Sequence, residues 1–291
     1  MHEVDRVIAQ RLTTSVPLVG QISHYIIASG GKRLRPALLL LVCGALGYTG
    51  AQRFNLAAVV ELIHTATLLH DDVVDESTMR RGRPTANENF GNPASVLVGD
   101  FLHTRAFQMM VDTGSMRVME ILSEATNVIA EGEVQQLINM HDASLDEQGY
   151  LRVIRSKTAK LFEASAQLGA VLAGSPSPIE AACATYGQAL GTAFQIIDDV
   201  LDYDGSAAEM GKNIGDDLRE GKATPASDCC HAARHARASR HRAPSHRRRQ
   251  HCGPGHRRSH RQNDRCFRRS ARCSTSRSTA RHGCPTTAAR Q

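Results

Sequence analysis

Two acidic triplets with the same spacing lie within apolar, helix-like segments of this 291-residue chain. They are Asp71, Asp72 and Asp75 in LLHDDVVDES, and Asp198, Asp199 and Asp202 in QIIDDVLD. Residues i and i+4 share one face of an α-helix, so each triplet gathers its carboxylates on one side. Like charges at this spacing destabilise a helix by roughly 0.2–0.5 kcal/mol per pair. A bound cation would offset that cost, and Mg²⁺ commonly binds carboxylates together with substrate phosphates.

The alternative interpretation of each triplet is a solvated acidic helix face, which is the commoner fate of a charge cluster. Apolar side chains adjoin both triplets, namely Leu68, Leu69, Val73 and Val74 at the first and Ile196, Ile197, Val200 and Leu201 at the second. These neighbours place the carboxylates at the edge of a hydrophobic core. The sequence therefore predicts a site for magnesium and diphosphate.

Helical periodicity dominates the rest of residues 1–222. Apolar residues recur at helical spacing in five segments: Leu38–Val42, Leu56–Leu69, Val96–Met110, Val118–Ile138 and Val153–Leu172. Segments rich in glycine, or containing proline, separate them, and alternating strand-like runs are missing. The pattern predicts an all-α helical bundle with mostly short loops.

Basic residues accompany the acidic ones. Lys32, Arg33 and Arg35 lie in the segment GGKRLRP, and Arg80 and Arg81 follow the first triplet. Pro36 is suited to the start of a helix, where backbone N–H groups and basic side chains together favour a phosphate. A solvated basic cluster in front of a helix is the simpler alternative.

These motifs together resemble the trans-isoprenyl (polyprenyl) diphosphate synthase family. The resemblance covers about residues 12–222 and includes GGKRLRP, both acidic triplets, SKTAKLFEAS and GKNIGDDLREGK, in order and at matching spacing. Within the family, the segments ELIHTATLLHDDVVDES and SVLVGDFLHTRAFQMM are most similar to bacterial octaprenyl diphosphate synthases. The resemblance implies an all-α isoprenoid-synthase-type bundle, with the two triplets facing each other across a central cavity.

The resemblance also implies roles for individual residues. The metal ligands are the six aspartates of the two triplets. The isopentenyl diphosphate ligands are Lys32, Arg33, His64 and Arg81. The allylic diphosphate ligands are Arg80, Lys157, Thr158, Gln195, Lys212 and Lys222. Among these residues, Asp71, Asp72, Asp75, Arg80, Lys157, Asp198 and Lys212 are the expected catalytic set. His64 alone, on an apolar helix, would more often be a core histidine.

The implied reaction is head-to-tail condensation of isopentenyl diphosphate onto an allylic diphosphate. Two or three Mg²⁺ ions and the cations stabilise the leaving diphosphate, an allylic carbocation forms, and the isopentenyl double bond attacks it. The implied product is a long all-trans polyprenyl diphosphate of about eight units, a precursor of quinone side chains. Ala66 and Thr67 are small residues just before the first triplet, and we expect them to leave the product cavity open.

The expected setting is a homodimer in the cytoplasm, without specific nucleic-acid binding. Cys43 and Cys183 lie in helical segments and indicate a reducing compartment. No signal peptide or membrane span is predicted.

Residues 223–291 differ sharply from the rest in composition. They contain 17 Arg, 8 His and 6 Cys with only 2 acidic residues, so they carry a formal charge of +15 against −9 for residues 1–222. Phe267 is their only large apolar residue, and no hydrophobic core can form from such a segment. A nucleic-acid-binding arm and a zinc module are two interpretations, although the cysteines lack paired CxxC spacing.

A third interpretation is that the tail is translated out of frame. The family continues with an apolar helix where this chain reads ATPASDCCHAARH. One choice of codons for Ala226 to Ala233, read in another frame, gives Leu-Leu-Ile-Ala-Ala-Met-Arg. We therefore predict an incomplete helical domain over residues 1–222, with its C-terminal helices missing, and a disordered tail over residues 223–291.

Two other functional classes are consistent with parts of the sequence. Class I terpene cyclases share the helical fold and a DDxxD motif, but their second metal motif usually mixes Asn or Asp with Ser or Thr and Glu. They also need no second diphosphate site such as Lys32, Arg33 and Arg81. A catalytically dead subunit or a pseudogene product is the non-enzymatic alternative.

Overall fold

The computed structural model describes residues 1–142 and 144–204. Their elements, in chain order, are α1 (His2–Arg11), α2 (Pro17–Ala28), α3 (Leu34–Ala45), α4 (Gln52–Val74), β1 (Met79–Arg80), β2 (Arg83–Pro84), α5 (Ala86–Phe90), α6 (Asn92–Val111), α7 (Met116–Asn139), α8 (Glu147–Ile154), a π-helical turn (Arg155–Ala159), α9 (Lys160–Leu172) and α10 (Ser177–Asp204). The predicted all-α class is confirmed. The predicted tail, Lys212 and Lys222 lie outside the described residues.

Helix α4 forms the centre of the core. It packs against α1, α3, α6 and α9, and its apolar side chains are fully buried over most of its length, among them Leu56, Val59, Leu62 and Leu69. Because this one helix continues from the core to the first triplet, it connects those carboxylates directly to the buried centre of the bundle.

Helix α10 lies unusually close to α9 and the π turn. A Cβ atom at Gly187 would lie 2.5 Å from the carbonyl oxygen of Phe162, and one at Gly191 would lie 2.6 Å from the Cα of Ala159. Both distances are too short for real atoms, so glycine at these positions sets the approach of the helix bearing the second triplet. A small apolar cluster of Leu38, Phe162 and Ala166 joins α3 to α9 beside this contact.

Two local features differ from the sequence-based expectation. The segment after the first triplet, predicted to be an irregular break, contains the antiparallel pair β1–β2 and the short helix α5. The segment Val153–Leu172, predicted to be one continuous helix, is interrupted by the π turn. Such π turns occur frequently at functional sites. In the part of the chain that the structure describes, no helix is long and apolar enough to span a membrane.

Candidate active site

The first triplet divides at the C-terminal end of α4. Asp71 and the C-cap residue Asp75 border a half-open cavity, whereas Asp72 is fully buried. The Oδ1 atom of Asp72 accepts hydrogen bonds from Arg80 Nε at 2.9 Å and Nη2 at 2.7 Å. Its Oδ2 atom is buried and has no hydrogen-bond partner among the described residues. The three carboxylates therefore have different surroundings, although their spacing is that of a single cluster.

A tight hairpin directs the two arginines to different places. Arg81 and Gly82 occupy its turn with φ values of 51° and 74°, the positive pair that a two-residue hairpin requires. Arg80 contacts Asp72, while the Arg81 guanidinium lies against Gly31, where a Cβ would be only 3.0 Å from it. Tyr25 anchors the hairpin, because its hydroxyl donates to the carbonyl oxygen of Pro84 at 2.6 Å.

Four arginines lie near enough to His64 for their charges to act on it. Burial, followed by the charges of Arg35, Arg81, Arg80 and Arg33, holds the pKa of His64 well below its ordinary range. A neutral imidazole among several guanidinium groups is an environment that favours an anion. The predicted grouping of His64 with Arg33 and Arg81 is therefore present in the structure.

The site reasoning from sequence placed Arg35 in the basic cluster but gave it no individual role, and it missed Glu61. Burial lowers the pKa of Arg35 to about 10, with Glu61 acting in the opposite direction, and its guanidinium carbon lies 4.5 Å from the centre of the Phe162 ring. Arg33, in contrast, forms an ion pair with Glu61. The GGKRLRP motif, to which Arg35 belongs, was the sequence feature from which a role for Arg35 could have been predicted. Glu61 had no such feature beyond its position on α4.

Lys157, on the π turn, lies among acceptors. Its Nζ atom is 2.5 Å from Glu133 Oε2, 2.8 Å from Gln136 Oε1 and 3.7 Å from Asp71 Oδ2. Burial, followed by the charge of Asp71, raises the pKa of Glu133 to about 7. Glu133 and Gln136 are on α7 and were not predicted as site residues, because only the fold brings them to Lys157.

The second triplet is tied to the π turn by hydrogen bonds. Thr158 Oγ1 donates to Gln195 Oε1 at 2.8 Å, and Gln195 Nε2 donates to Asp199 Oδ1 at 2.7 Å. Asp199 and Asp202 are buried, whereas Asp198 is partly exposed. The predicted association of Thr158, Gln195 and this triplet is thus present.

A half-open cavity of about 530 Å³ lies between α4, α6 and α7. Its wall is mostly apolar, and it is lined by Ile63, Thr67, His70, Asp71, Val74, Asp75, Asp100, His103, Thr126, Ile129, Ala130, Glu133, Val134, Gln136, Leu137 and Met140. Thr67 is part of the wall as expected, but Ala66 is not, because it is packed in the core with 1 % of its surface exposed.

Only the first triplet borders this cavity; the described residues of the second do not line it. Within residues 1–142 and 144–204, no group of three or more His, Cys, Asp or Glu side chains is arranged to hold a metal ion by itself. The carboxylate oxygens of Asp71 and Asp75 at the cavity nevertheless have the chemistry that Mg²⁺ prefers when a phosphate completes its coordination. The donor set therefore fits a metal that is bound jointly with a diphosphate.

A helical bundle with carboxylates at the end of an apolar cavity, and with cationic side chains beside them, defines an enzyme of the prenyl diphosphate synthase class. The sequence profile described as "Polyprenyl synthetase" matches residues 16–251. The chain belongs to the polyprenyl synthetase family. The predicted prenyltransferase class is confirmed, and the profile match extends past Lys222, the predicted end of the helical domain.

Individual relatives agree with this assignment. The chain is 55% identical to octaprenyl diphosphate synthase of Escherichia coli K12 over 235 residues, which is 81% of this chain and 72% of the relative. It is 48% identical to the nonaprenyl diphosphate synthase of Rhodobacter capsulatus, described as geranyl-diphosphate specific, over 76% of this chain and 68% of that protein. The crystal structure of a polyprenyl synthase from Caulobacter crescentus, complexed with calcium and isoprenyl diphosphate, superposes with a TM-score of 0.79 at 48% identity, covering 81% of this chain and 72% of that one.

Proposed function

We propose that this chain catalyses the head-to-tail condensation of isopentenyl diphosphate onto an allylic diphosphate, giving a long all-trans polyprenyl diphosphate close to octaprenyl length. The observation that carries the proposal is the cavity of about 530 Å³, with Asp71 and Asp75 at one end of a mostly apolar wall. This arrangement suits a substrate with a charged head and a growing hydrocarbon tail. The 55% identity to an octaprenyl diphosphate synthase supports the product length.

Asp71, Asp75 and Asp198 are the proposed ligands of Mg²⁺, because they are the less buried members of their triplets. The complex of the Caulobacter relative with calcium and isoprenyl diphosphate supports a divalent cation at such a site. Bound Mg²⁺ would neutralise charge on the departing diphosphate. Asp72, Asp199 and Asp202, also expected as ligands, are buried within the protein, and we assign them to holding the site together.

The basic residues around His64 are the proposed isopentenyl diphosphate site. Arg35 and Arg81 are its main anion ligands, joined by Lys32 and His64. The buried Arg35 guanidinium has a lowered pKa, so a diphosphate bound there would relieve the cost of burying its charge. Arg33 is assigned to positioning this group, because it is already paired with Glu61.

The allylic diphosphate is proposed to lie near Lys157, Thr158 and Gln195. Lys157 is close enough to Asp71 to share one diphosphate with a metal bound there. Its positive charge would stabilise the leaving group as the allylic C–O bond breaks. The isopentenyl double bond then attacks the cation, and a proton is lost to the released diphosphate. Lys212 and Lys222 remain predicted ligands.

Three further expectations remain proposals: a homodimer, a cytoplasmic location and an out-of-frame tail. The free thiols of Cys43 and Cys183 support the second of these. Resequencing the codons for residues 222–225 tests the third, because a single added or missing base there would restore an apolar helix.

Incorporation of labelled isopentenyl diphosphate by the purified chain, with geranyl diphosphate as primer, tests the reaction. We expect a long polyprenyl product with Mg²⁺ and none after chelation. A cyclic hydrocarbon would assign the chain to the terpene cyclases. Absence of turnover, with or without Mg²⁺, would support the inactive-subunit alternative.

A further inference from the structure

Tyr150 lies at the second triplet but has no role in the reaction proposed above. It is on α8, and 6 % of its surface is exposed. Its hydroxyl donates to Asp199 Oδ2 at 2.5 Å. A buried tyrosine hydroxyl that donates to a carboxylate forms a charge-assisted hydrogen bond, which is stronger than a bond between neutral groups.

This bond completes a series of three that runs through the site. Asp199 accepts from Tyr150 on one oxygen and from Gln195 Nε2 on the other. Because that amide nitrogen donates to Asp199, the Gln195 oxygen is left to accept from Thr158. Each group in the series therefore acts as a donor or an acceptor according to its neighbour. The negative charge on Asp199 requires the amide nitrogen of Gln195 to face it, which fixes the orientation of that amide.

The same hydrogen bonds also connect α8 and the π turn to α10 at two points. Helix α8 continues directly into the π turn, so only eight positions along the chain separate Tyr150 from Thr158. Both are hydrogen-bonded to residues one helical turn apart on α10, Asp199 and Gln195. The segment from Tyr150 to Thr158, which includes most of the π turn, is thus held to α10 at both of its ends, and Lys157 on the π turn extends toward Asp71.

We infer that Tyr150 is a positioning residue of the allylic diphosphate site: its bond to Asp199 sets the π turn bearing Lys157 and Thr158 against the helix bearing Asp198. The inference rests on the proposed function. It predicts a selective effect, because the isopentenyl site around His64 is built from α3, α4 and the hairpin, and Tyr150 belongs to none of these.

The experiment compares the purified full chain with its Tyr150→Phe variant, which removes only the hydroxyl. Tyr186→Phe is the matched control, because Tyr186 is also near the second triplet in sequence, on α10, but is 59 % exposed. Calorimetry gives the Kd of geranyl diphosphate with Mg²⁺ and, separately, the Kd of isopentenyl diphosphate. In Tyr150→Phe we expect geranyl diphosphate to bind roughly tenfold or more weakly, as for loss of a hydrogen bond to a charged group. We expect the Kd of isopentenyl diphosphate to stay within about twofold.

Two results would overturn the inference: unchanged affinity for geranyl diphosphate, or equal weakening for both ligands, which indicates a merely structural role. If the unmodified chain binds neither diphosphate, the proposed function fails instead. Hydrogen exchange of the amides in residues 155–159 then decides the positioning role by itself. Faster exchange in Tyr150→Phe than in Tyr186→Phe supports it, and equal exchange in the two variants overturns it.

Discussion

Lys157 and Thr158 are adjacent in the chain, yet Lys157 lies beside the first acidic triplet and Thr158 is linked through Gln195 to the second. Lys157 Nζ lies 3.7 Å from Asp71 Oδ2, and Thr158 Oγ1 donates at 2.8 Å to Gln195, which in turn donates to Asp199. Both are on the π turn, where the chain leaves regular α-helical geometry. The two triplets are therefore connected through two consecutive residues, and the following predictions test the parts of this arrangement.

Asp71 should be indispensable for turnover. It borders the cavity and is the carboxylate closest to Lys157 in the first triplet. In the purified chain, Asp71→Ala should reduce isopentenyl diphosphate incorporation by roughly a hundred- to a thousandfold, because charge stabilisation of the leaving group is lost. Glu124→Ala, an exposed site on α7, is the control and should retain full activity. Similar activity in both variants would contradict the proposed metal site.

Thr67 and Ala66 should respond differently to enlargement. Thr67→Phe places a ring in the cavity, so we expect a shorter product, measured by chromatography of the hydrolysed prenyl chains. Ala66 is enclosed by the core, so Ala66→Phe should lower the free energy of unfolding by about 1–3 kcal/mol through overpacking. A stable Ala66→Phe variant that shortens the product would show that Ala66, and not Thr67, faces the growing chain.

Glu133 should make stability depend on pH. Its pKa is raised to about 7 from an ordinary 4.5, so the folded state binds its proton more tightly than the unfolded state does. That contribution to stability is fully present below about pH 4.5 and is lost as the pH rises through about 7. Urea unfolding at pH values from about 5 to 7 should show Glu133→Gln gaining stability relative to the unmodified chain. Parallel curves for the two proteins would contradict the shift.

Arg80 and Asp72 should be energetically coupled. Arg80→Ala leaves a fully buried carboxylate without its main donor, which costs about 1–3 kcal/mol or more of unfolding free energy. Adding Asp72→Ala to that variant removes the buried charge, so the double variant should be less destabilised than the sum of the single ones. A double-mutant cycle by urea unfolding measures the coupling; strict additivity would show that the bond contributes nothing.

Gly191 should tolerate no side chain. In Gly191→Ala the new Cβ would collide with the backbone of Ala159, displacing α10 and lowering both stability and affinity for the allylic substrate. Gly44→Ala in α3 is the matched control, because no atom lies within 4 Å of its new Cβ. It should stabilise the chain by about 0.5–1 kcal/mol. Thermal unfolding distinguishes the two outcomes.

Much of this arrangement could be predicted from local sequence. The periodicity of α4 and the spacing of Asp71 and Asp75 give both the helix and the carboxylate face without any tertiary information. The resemblance to a known family predicted His64 and Arg81 in one site, and in the structure the charge of Arg81 acts on His64. These features depend on residues close in sequence, or on motifs that recur across a family.

Other features depend on which elements meet, and periodicity does not specify that. Tyr150 reaches Asp199 and Glu133 reaches Lys157 only because α8, α7 and α10 pack around the π turn. Ala66 and Thr67 are consecutive small residues, and only the position of α6 and α7 determines which one borders the cavity. The carboxylates within each triplet also differ in their surroundings for this reason, because those surroundings depend on tertiary partners such as Arg80.

His64, Thr67 and Asp71 all lie on the single uninterrupted helix α4. An α-helix rises 1.5 Å and turns about 100° for each residue. The pitch of α4 therefore sets both the distance and the relative direction between the proposed isopentenyl diphosphate site at His64 and the proposed metal-binding carboxylates. A single residue inserted between Thr67 and Asp71 would leave every side chain intact but rotate the whole first triplet by more than a quarter turn away from Lys157. The number of residues between Thr67 and Asp71 is therefore as strict a requirement of this site as the identity of the carboxylates themselves.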